Sequence, residues 1–271
     1  VVDAADLPLS LIRNLGVLMA GRPWTRHETL VAFNLYCRTS FGRLHARNPE
    51  IVATARAIGR TPSSLAMKCC NLAAFDPALK ARGIRGLAKA SQLDQEIWQQ
   101  FEADPETIGF ESEVAAANAR GTELECADDL QWDDVAGLER DAITKVRVNQ
   151  SLFRSMILAG YGNACCVCTM PIARLLVASH IVPWSVDRQL RMNPRNGICL
   201  CVLHDKAYDR GILSIAADYR VQIHHDVHQL GSNVIVMHSL LAFDAQFIQL
   251  PERWHPEPGF LELHQQLVNA M

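Results

Sequence analysis

The chain has no surplus of charge of either sign: 26 Lys and Arg stand against 29 Asp and Glu, a formal net charge of −3 over 271 residues. Its overall balance therefore lacks the bulk electrostatic mark of a nucleic-acid binder, and any such role has to rest on local charge. No long apolar run is present. The nearest, Leu7 to Met19, is interrupted by Arg13, Asn14 and Gly16 and is too short to span a bilayer, so no membrane partner is expected. That run also has no basic residue ahead of it and no convincing cleavage site behind it, which argues against a signal peptide. The nine cysteines are odd in number, and the chain is too long to need disulfide staples. A reducing, cytoplasmic setting is expected. Internal repeats are absent, and no low-complexity tract stands out beyond the alanine-rich stretch from Val114 to Ala119.

Charge is unevenly distributed. Between Arg22 and Lys89 the basic residues Arg22, Arg26, Arg38, Arg43, Arg47, Arg56, Arg60, Lys68, Lys80, Arg82, Arg85 and Lys89 face only Glu28, Glu50 and Asp76. From Asp94 to Asp141 the sign reverses, and the stretch from Gly121 to Gly137 is acidic and poor in large apolar residues. This segregation points to a basic binding module, an acidic linker and a second module. The expected divisions are an N-terminal extension over 1–21, a helical module over 22–120, a linker over 121–142 and a second domain over 143–271. Met19-Ala20-Gly21-Arg22-Pro23-Trp24 reads like a natural start, which would make residues 1–18 an upstream extension.

The first module reads as helical. Thr25 is a good cap for a helix carrying Leu30, Val31, Phe33, Leu35 and Tyr36, and Pro49 can open another with Ile51, Val52, Ala55 and Ile58. Gly59 breaks that helix, Thr61 caps the next, and Pro62 suits its first position. Helix, glycine turn and capped helix make the outline of a helix-turn-helix, with a plain helical hairpin as the alternative. Arg56, Arg60 and Lys68 around the turn favour DNA, held chiefly through phosphates.

In the second module an amphipathic helix from Val148 to Leu158 leads to the cluster Cys165-Cys166-Val167-Cys168. An apolar run from Leu175 to Ile181 suits a buried strand, and a polar loop runs from Ser185 to Arg195. A second strand from Ile198 to Val202 precedes a short helix that Gly211 stops, and a hairpin of Ile212–Ile215 with Tyr219–Ile223 is expected to follow.

Within these elements Ser179-His180-Ile181-Val182-Pro183-Trp184, then Asn193-Pro194-Arg195-Asn196-Gly197, then His204-Asp205-Lys206 place a His at a strand end, an Asn in a loop and a His opening a helix. The order resembles the HNH, or ββα-metal, endonuclease family. The resemblance implies an α+β fold in which a small nuclease core follows the helical module, and a metal-dependent hydrolysis of phosphodiester bonds. It makes His180 the general base, Asn196 the residue that pins the loop and aims that base, and His204 a ligand of the catalytic cation, with Asp205 as a second or alternative ligand. Arg195 is placed to meet phosphate. A hard oxygen ligand suits Mg2+ or Mn2+, while imidazole also admits Zn2+ or Ni2+. The segment from Arg22 to Pro77 is similar to the helical module of some HNH endonucleases of bacterial defence systems, which implies a role in restriction of foreign DNA.

Two features complicate this reading. Many HNH enzymes carry Asp directly before the base, and Ser179 stands there, which shifts coordination onto His204, Asp205 or the substrate. In addition, Cys165-x-x-Cys168 and Cys201-x-x-His204 have the spacing of a closed structural zinc site, in competition for His204. The resemblance favours the active site for His204, so that His180 and His204 would converge on one cation. His224, His225 and His228 are expected on a solvated strand or turn, and Phe260-Leu261-Glu262-Leu263-His264 resembles the family's C-terminal packing segment, with Trp254 and Phe260 as core anchors. A metal-dependent DNA endonuclease is therefore expected; one site per chain would favour a homodimer for cutting both strands. A zinc-stabilised DNA-binding regulator without catalysis and an RNA-cleaving toxin are the alternatives.

Overall fold

The structure is a computed structural model and describes residues 22–83, 90–124, 138–183 and 185–269. The expected extension over 1–21, with Met19, the central part of the acidic linker, and Arg85, Lys89 and Trp184 lie outside the described residues. The chain divides into two compact units, Val1–Cys126 and Ala127–Met271. No described helix is long and apolar enough to cross a membrane.

The first unit is helical throughout. Helix α1 (Arg26–Arg38) opens on a reciprocal cap: Thr25 Oγ1 accepts from the Glu28 amide, and Glu28 Oε2 accepts from the Thr25 amide at 3.0 Å. From Glu28 to Cys37 every residue of α1 is buried. It is the axis of the unit rather than a surface helix. The helices that follow are α2 (Pro49–Ala57), α3 (Pro62–Ala73), α4 (Pro77–Ala81), α5 (Gln92–Ala103) and α6 (Pro105–Arg120); α3, α5 and α6 pack on α1, and α2 packs on α3 and α6. Phe33 and Tyr36 of α1 meet Trp98 edge-on, and Phe33 lies 4.9 Å from Phe101, so aromatic contacts fasten α1 to α5.

The turn between α2 and α3 follows the expected chemistry. Gly59 takes φ +65°, and the Arg60 amide reaches back to the Ala55 carbonyl at 2.8 Å, a glycine-closed helix end. Thr61 then caps α3 by accepting from the Ser64 amide, with Pro62 in the first turn.

The basic residues expected to meet DNA are another matter. Arg60 is 6 % exposed and Lys68 is 3 % exposed. The Arg60 guanidinium donates to both carboxylate oxygens of Glu28 and to the carbonyls of Arg22 and Pro23, while lying 4.5 Å from the centre of the Trp24 ring. Lys68 pairs with buried Asp94 and also approaches Trp24, at 4.7 Å. Neither can reach a phosphate, because each is spent on neutralising a buried carboxylate. Of the three, Arg56 alone faces solvent.

In the second unit α7 (Leu138–Gly160) precedes an antiparallel pair, β1 (Leu176–His180) and β2 (Gly197–Cys201), followed directly by α8 (Val202–Asp209). A second pair, β3 (Leu213–Ile215) with β4 (Val221–Ile223), leads to the short helices α9 (His225–His228) and α10 (Val234–Ser239) and to α11 (Pro258–Asn269). The α+β architecture expected is the one observed. Gly197 shows how tightly α7 lies on the sheet: a Cβ there would come within 2.4 Å of Ile157 and 2.8 Å of Phe153, so only glycine fits.

Replacing Arg60 with Met should destabilise the full chain by about 3 kcal/mol, since it leaves Glu28 buried with half its partners. Denaturant unfolding reads this. The Glu28 pKa is lowered to about 2: burial acts to raise it and is outweighed by the Arg60 hydrogen bond, the Thr25 amide and the charges of Arg60 and Arg22. A depressed carboxylate pKa stabilises above the ordinary value of 4.5 and loses that contribution as pH falls towards 2. Unfolding curves over that acid window should therefore show a loss of stability that shrinks when Glu28 is replaced by Gln.

Candidate metal centre and active site

Antiparallel pairing sets His180 opposite Gly197 and Ser179 opposite Ile198. Because Gly197 admits α7, the His180 imidazole meets the Phe153 ring face to face, 4.2 Å between centroids and 3° from parallel. Its Nε2 lies 3.0 Å from the Arg191 carbonyl. A carbonyl only accepts, so Nε2 carries the hydrogen and the neutral ring keeps its lone pair at Nδ1. Burial lowers the His180 pKa, with the Arg191 carbonyl opposing and the Arg191 charge assisting. The ring is thus held flat, in one tautomer, and biased towards the neutral form that can take up a proton.

Asn196 is fully buried at the other end of the loop between the strands. Its Oδ1 accepts from the Val182 amide at 2.8 Å, and its Nδ2 donates to the carbonyls of Val182 at 3.0 Å and Leu190 at 3.3 Å. Its backbone carbonyl accepts from the Ile181 amide at 3.0 Å. One side chain therefore closes the loop just beyond His180 in both directions.

His204 has different partners. Only 2 % exposed, it sets Nδ1 at 3.5 Å from Cys165 Sγ and 3.2 Å from Cys201 Sγ, and Cys168 Sγ lies 3.9 Å from Cys201 Sγ. The four donor atoms all fall within 4.8 Å of one another. A tetrahedral zinc would separate its sulfur ligands by about 3.8 Å and sulfur from nitrogen by about 3.6 Å, so this donor set fits such an ion. The Nε2–H of His204 donates to the Ser239 carbonyl at 2.9 Å, which fixes the tautomer with the Nδ1 lone pair facing the sulfurs. Phe243 closes over the ring edge-on at 5.4 Å.

Local folding explains this convergence. The Thr169 amide bonds the Cys165 carbonyl at 2.9 Å and Thr169 takes φ +60°, making a tight knuckle that brings Cys165 and Cys168 together. Cys201 ends β2 and His204 lies in the first turn of α8, so the two arrive from one chain reversal. Burial pushes the Cys168 thiol up to about 12, and the neighbouring Cys165 and Cys201 add to this. Cys166 and Cys199 are buried beside the cluster but are not among its four donors.

The expectation that His180 and His204 converge on one cation is therefore corrected. One imidazole stacks on α7 and binds the loop; the other belongs to the cysteine cluster. What lies across from the His180 strand end is Asp205, the next residue of α8. Burial raises its pKa, and a hydrogen bond from Ser179 lowers it. The serine that departs from the expected acidic residue is thus paired with a carboxylate on the helix. Arg195 is half-buried and forms a surface ion pair with Glu257 at 3.4 Å. His224, His225 and Asp226 form an exposed group of three on the turn into α9, on the solvated site expected.

Comparison with protein-family models gives a match between residues 165–216 and the family described as HNH endonuclease. Over this stretch the chain is similar to the HNH endonuclease family. The matched segment begins at the first cysteine of the cluster and contains His180, Asn196, His204 and Asp205. Comparison with curated proteins and with solved structures gives no match. These findings give no support to a homodimer.

Several contributors to the HNH site escaped the sequence reading: Phe153, the Arg191 and Ser239 carbonyls, and His264, whose Nδ1 lies 3.0 Å from the Ile181 carbonyl. Phe153 had a signal in its place on the buried stripe of an amphipathic helix, and His264 in its place at the end of the expected C-terminal packing segment. Elemental analysis of the purified chain should find one tightly held metal ion, lost on replacing Cys165 or Cys201 with Ser. Chelation should unfold the second unit, since a binding energy of roughly 10 kcal/mol is comparable to the whole stability of a domain.

Proposed function

We propose that the protein is a metal-dependent DNA endonuclease that acts in restriction of foreign DNA. The observation that carries this reading is the His180 ring within the HNH match, held by Phe153 and the Arg191 carbonyl at a strand end that Asn196 pins. His180 Nδ1 takes the proton of the attacking water at the scissile phosphate. Asn196 keeps the loop closed so that the lone pair points the same way in every turnover. Asp205, with Ser179 beside it, would hold a divalent cation of the Mg2+ or Mn2+ kind, a hard ion suited to oxygen ligands. When bound, such an ion neutralises charge developing on the phosphoryl group and stabilises the leaving oxygen.

Cys165, Cys168, Cys201 and His204 would hold a second ion, zinc, whose task is structural. Three thiolates and one imidazole leave no open position for substrate, which is the pattern of a closed site. DNA is held through phosphates by exposed cations such as Arg56, while Arg195 lies near the loop that carries Asn196.

A second reading is favoured by one observation. With His204 in the cysteine cluster, that imidazole is not free to join Ser179 and Asp205 around a catalytic cation, so the domain would be a zinc-stabilised DNA-binding module without catalysis. A magnesium-dependent nicking assay on plasmid, run beside RNA and across differently modified DNA, separates the readings. His180→Ala should lower cleavage at least a hundredfold while leaving DNA affinity unchanged. Undiminished cutting by that variant would sink the endonuclease reading. Asp205→Asn should raise the Mg2+ concentration needed for half-maximal cleavage by about tenfold or more, without loss of the zinc measured in the protein.

A further inference from the structure

His264 lies on α11, 83 residues beyond Ile181, whose carbonyl it touches just past the strand end. It is 4 % exposed, and its ring stacks on Tyr208 of α8 at 3.8 Å and 2° from parallel. Its Nδ1, 3.0 Å from the Ile181 carbonyl, must carry the hydrogen, because the carbonyl can only accept. One imidazole therefore grips both halves of the HNH site. It bonds the residue directly after His180, and it packs on the residue one turn beyond Asp205. Asn196 holds the amides of Ile181 and Val182 and the Val182 carbonyl, so the Ile181 carbonyl is the one backbone group of that pair left for His264. Burial pushes the His264 pKa down, against the Ile181 carbonyl, the Tyr208 backbone and the Asp209 charge.

We infer that His264 is a positioning residue for the reaction: it fixes the distance between the strand carrying His180 and the helix carrying Asp205. This rests on the endonuclease reading for its consequence, though not for its geometry. The role has two separable parts, a donor to Ile181 and a flat ring against Tyr208. Phe in its place keeps the ring and removes the donor. Asn keeps a donor at nearly the Nδ1 position and removes the ring.

The test compares wild type, His264→Phe and His264→Asn in the full zinc-loaded chain. Plasmid cleavage, melting temperature and the NMR resonances of the His180 ring are measured on each. His264→Phe should lower kcat about tenfold at unchanged KM, because a small misplacement of a base is costly to turnover and not to binding. The His180 resonances should move in that variant, and His264→Asn should restore them together with most of kcat. Wild-type kcat and unmoved resonances in His264→Phe would overturn the inference. So would equal loss in both variants in proportion to a fall in melting temperature, which marks a purely structural residue. A wild-type chain that cuts nothing refutes the endonuclease reading instead, and the His180 resonances then still decide the positioning role.

Discussion

The meeting of Cys165, Cys168, Cys201 and His204 is the constraint on which the ββα core depends. It joins a knuckle, the end of β2 and the start of α8 at one point, and through the Ser239 carbonyl it also fixes the end of α10. A two-stranded sheet and an eight-residue helix bury too little apolar surface to hold a shape alone, and small folds of this kind rely on a crosslink. The four donors provide the place for one. Their position also decides which residues of α8 are free for chemistry, because a helix anchored at His204 turns the next residue, Asp205, by about 100° towards β1.

The second constraint is the closeness of α7 to the sheet. Gly197 lets the helix come down until Phe153 meets the His180 ring, so the absence of a side chain on one strand sets the orientation of a side chain on the other. His180 is then fixed by a stack on one side and a carbonyl on the other, neither of which blocks Nδ1. Asn196 acts on the backbone rather than on the ring. Its side chain supplies both a donor and an acceptor to Val182, which Asp could not do while ionised.

What could be read from the sequence was local. Thr25 and Thr61 cap helices as their residue types and the following Glu28 or Pro62 dictate, and Gly59 closes a helix because it alone enters the left-handed region without cost. The loop role of Asn196 was legible from its place in the motif. Arg60 and Lys68 were misread because charge is visible in sequence and direction is not: their partners Glu28 and Asp94 lie 32 and 26 residues away. His204 sits with the cysteines rather than with His180 for a related reason. Two adjacent polar residues at the start of a helix both fit the motif, and the choice between them rests on where Cys165 and Cys168 lie in space, more than thirty residues upstream.

The same one-residue distinction bears on how two different cations could be kept apart within a single small fold. Thiolate sulfur with imidazole favours a soft or borderline ion, whereas a carboxylate with a hydroxyl favours a hard one that keeps much of its water. Had both α8 residues been imidazoles, the oxygen-poor second site would compete for zinc with the first. Asp205 beside Ser179 removes that competition by ligand chemistry rather than by access. Its raised pKa follows from the same half-buried setting, where a neutralising cation would replace the proton and offset the cost of burying the charge. On this reading the departure from the expected motif at Ser179 is matched by the carboxylate of Asp205, on an element that touches it.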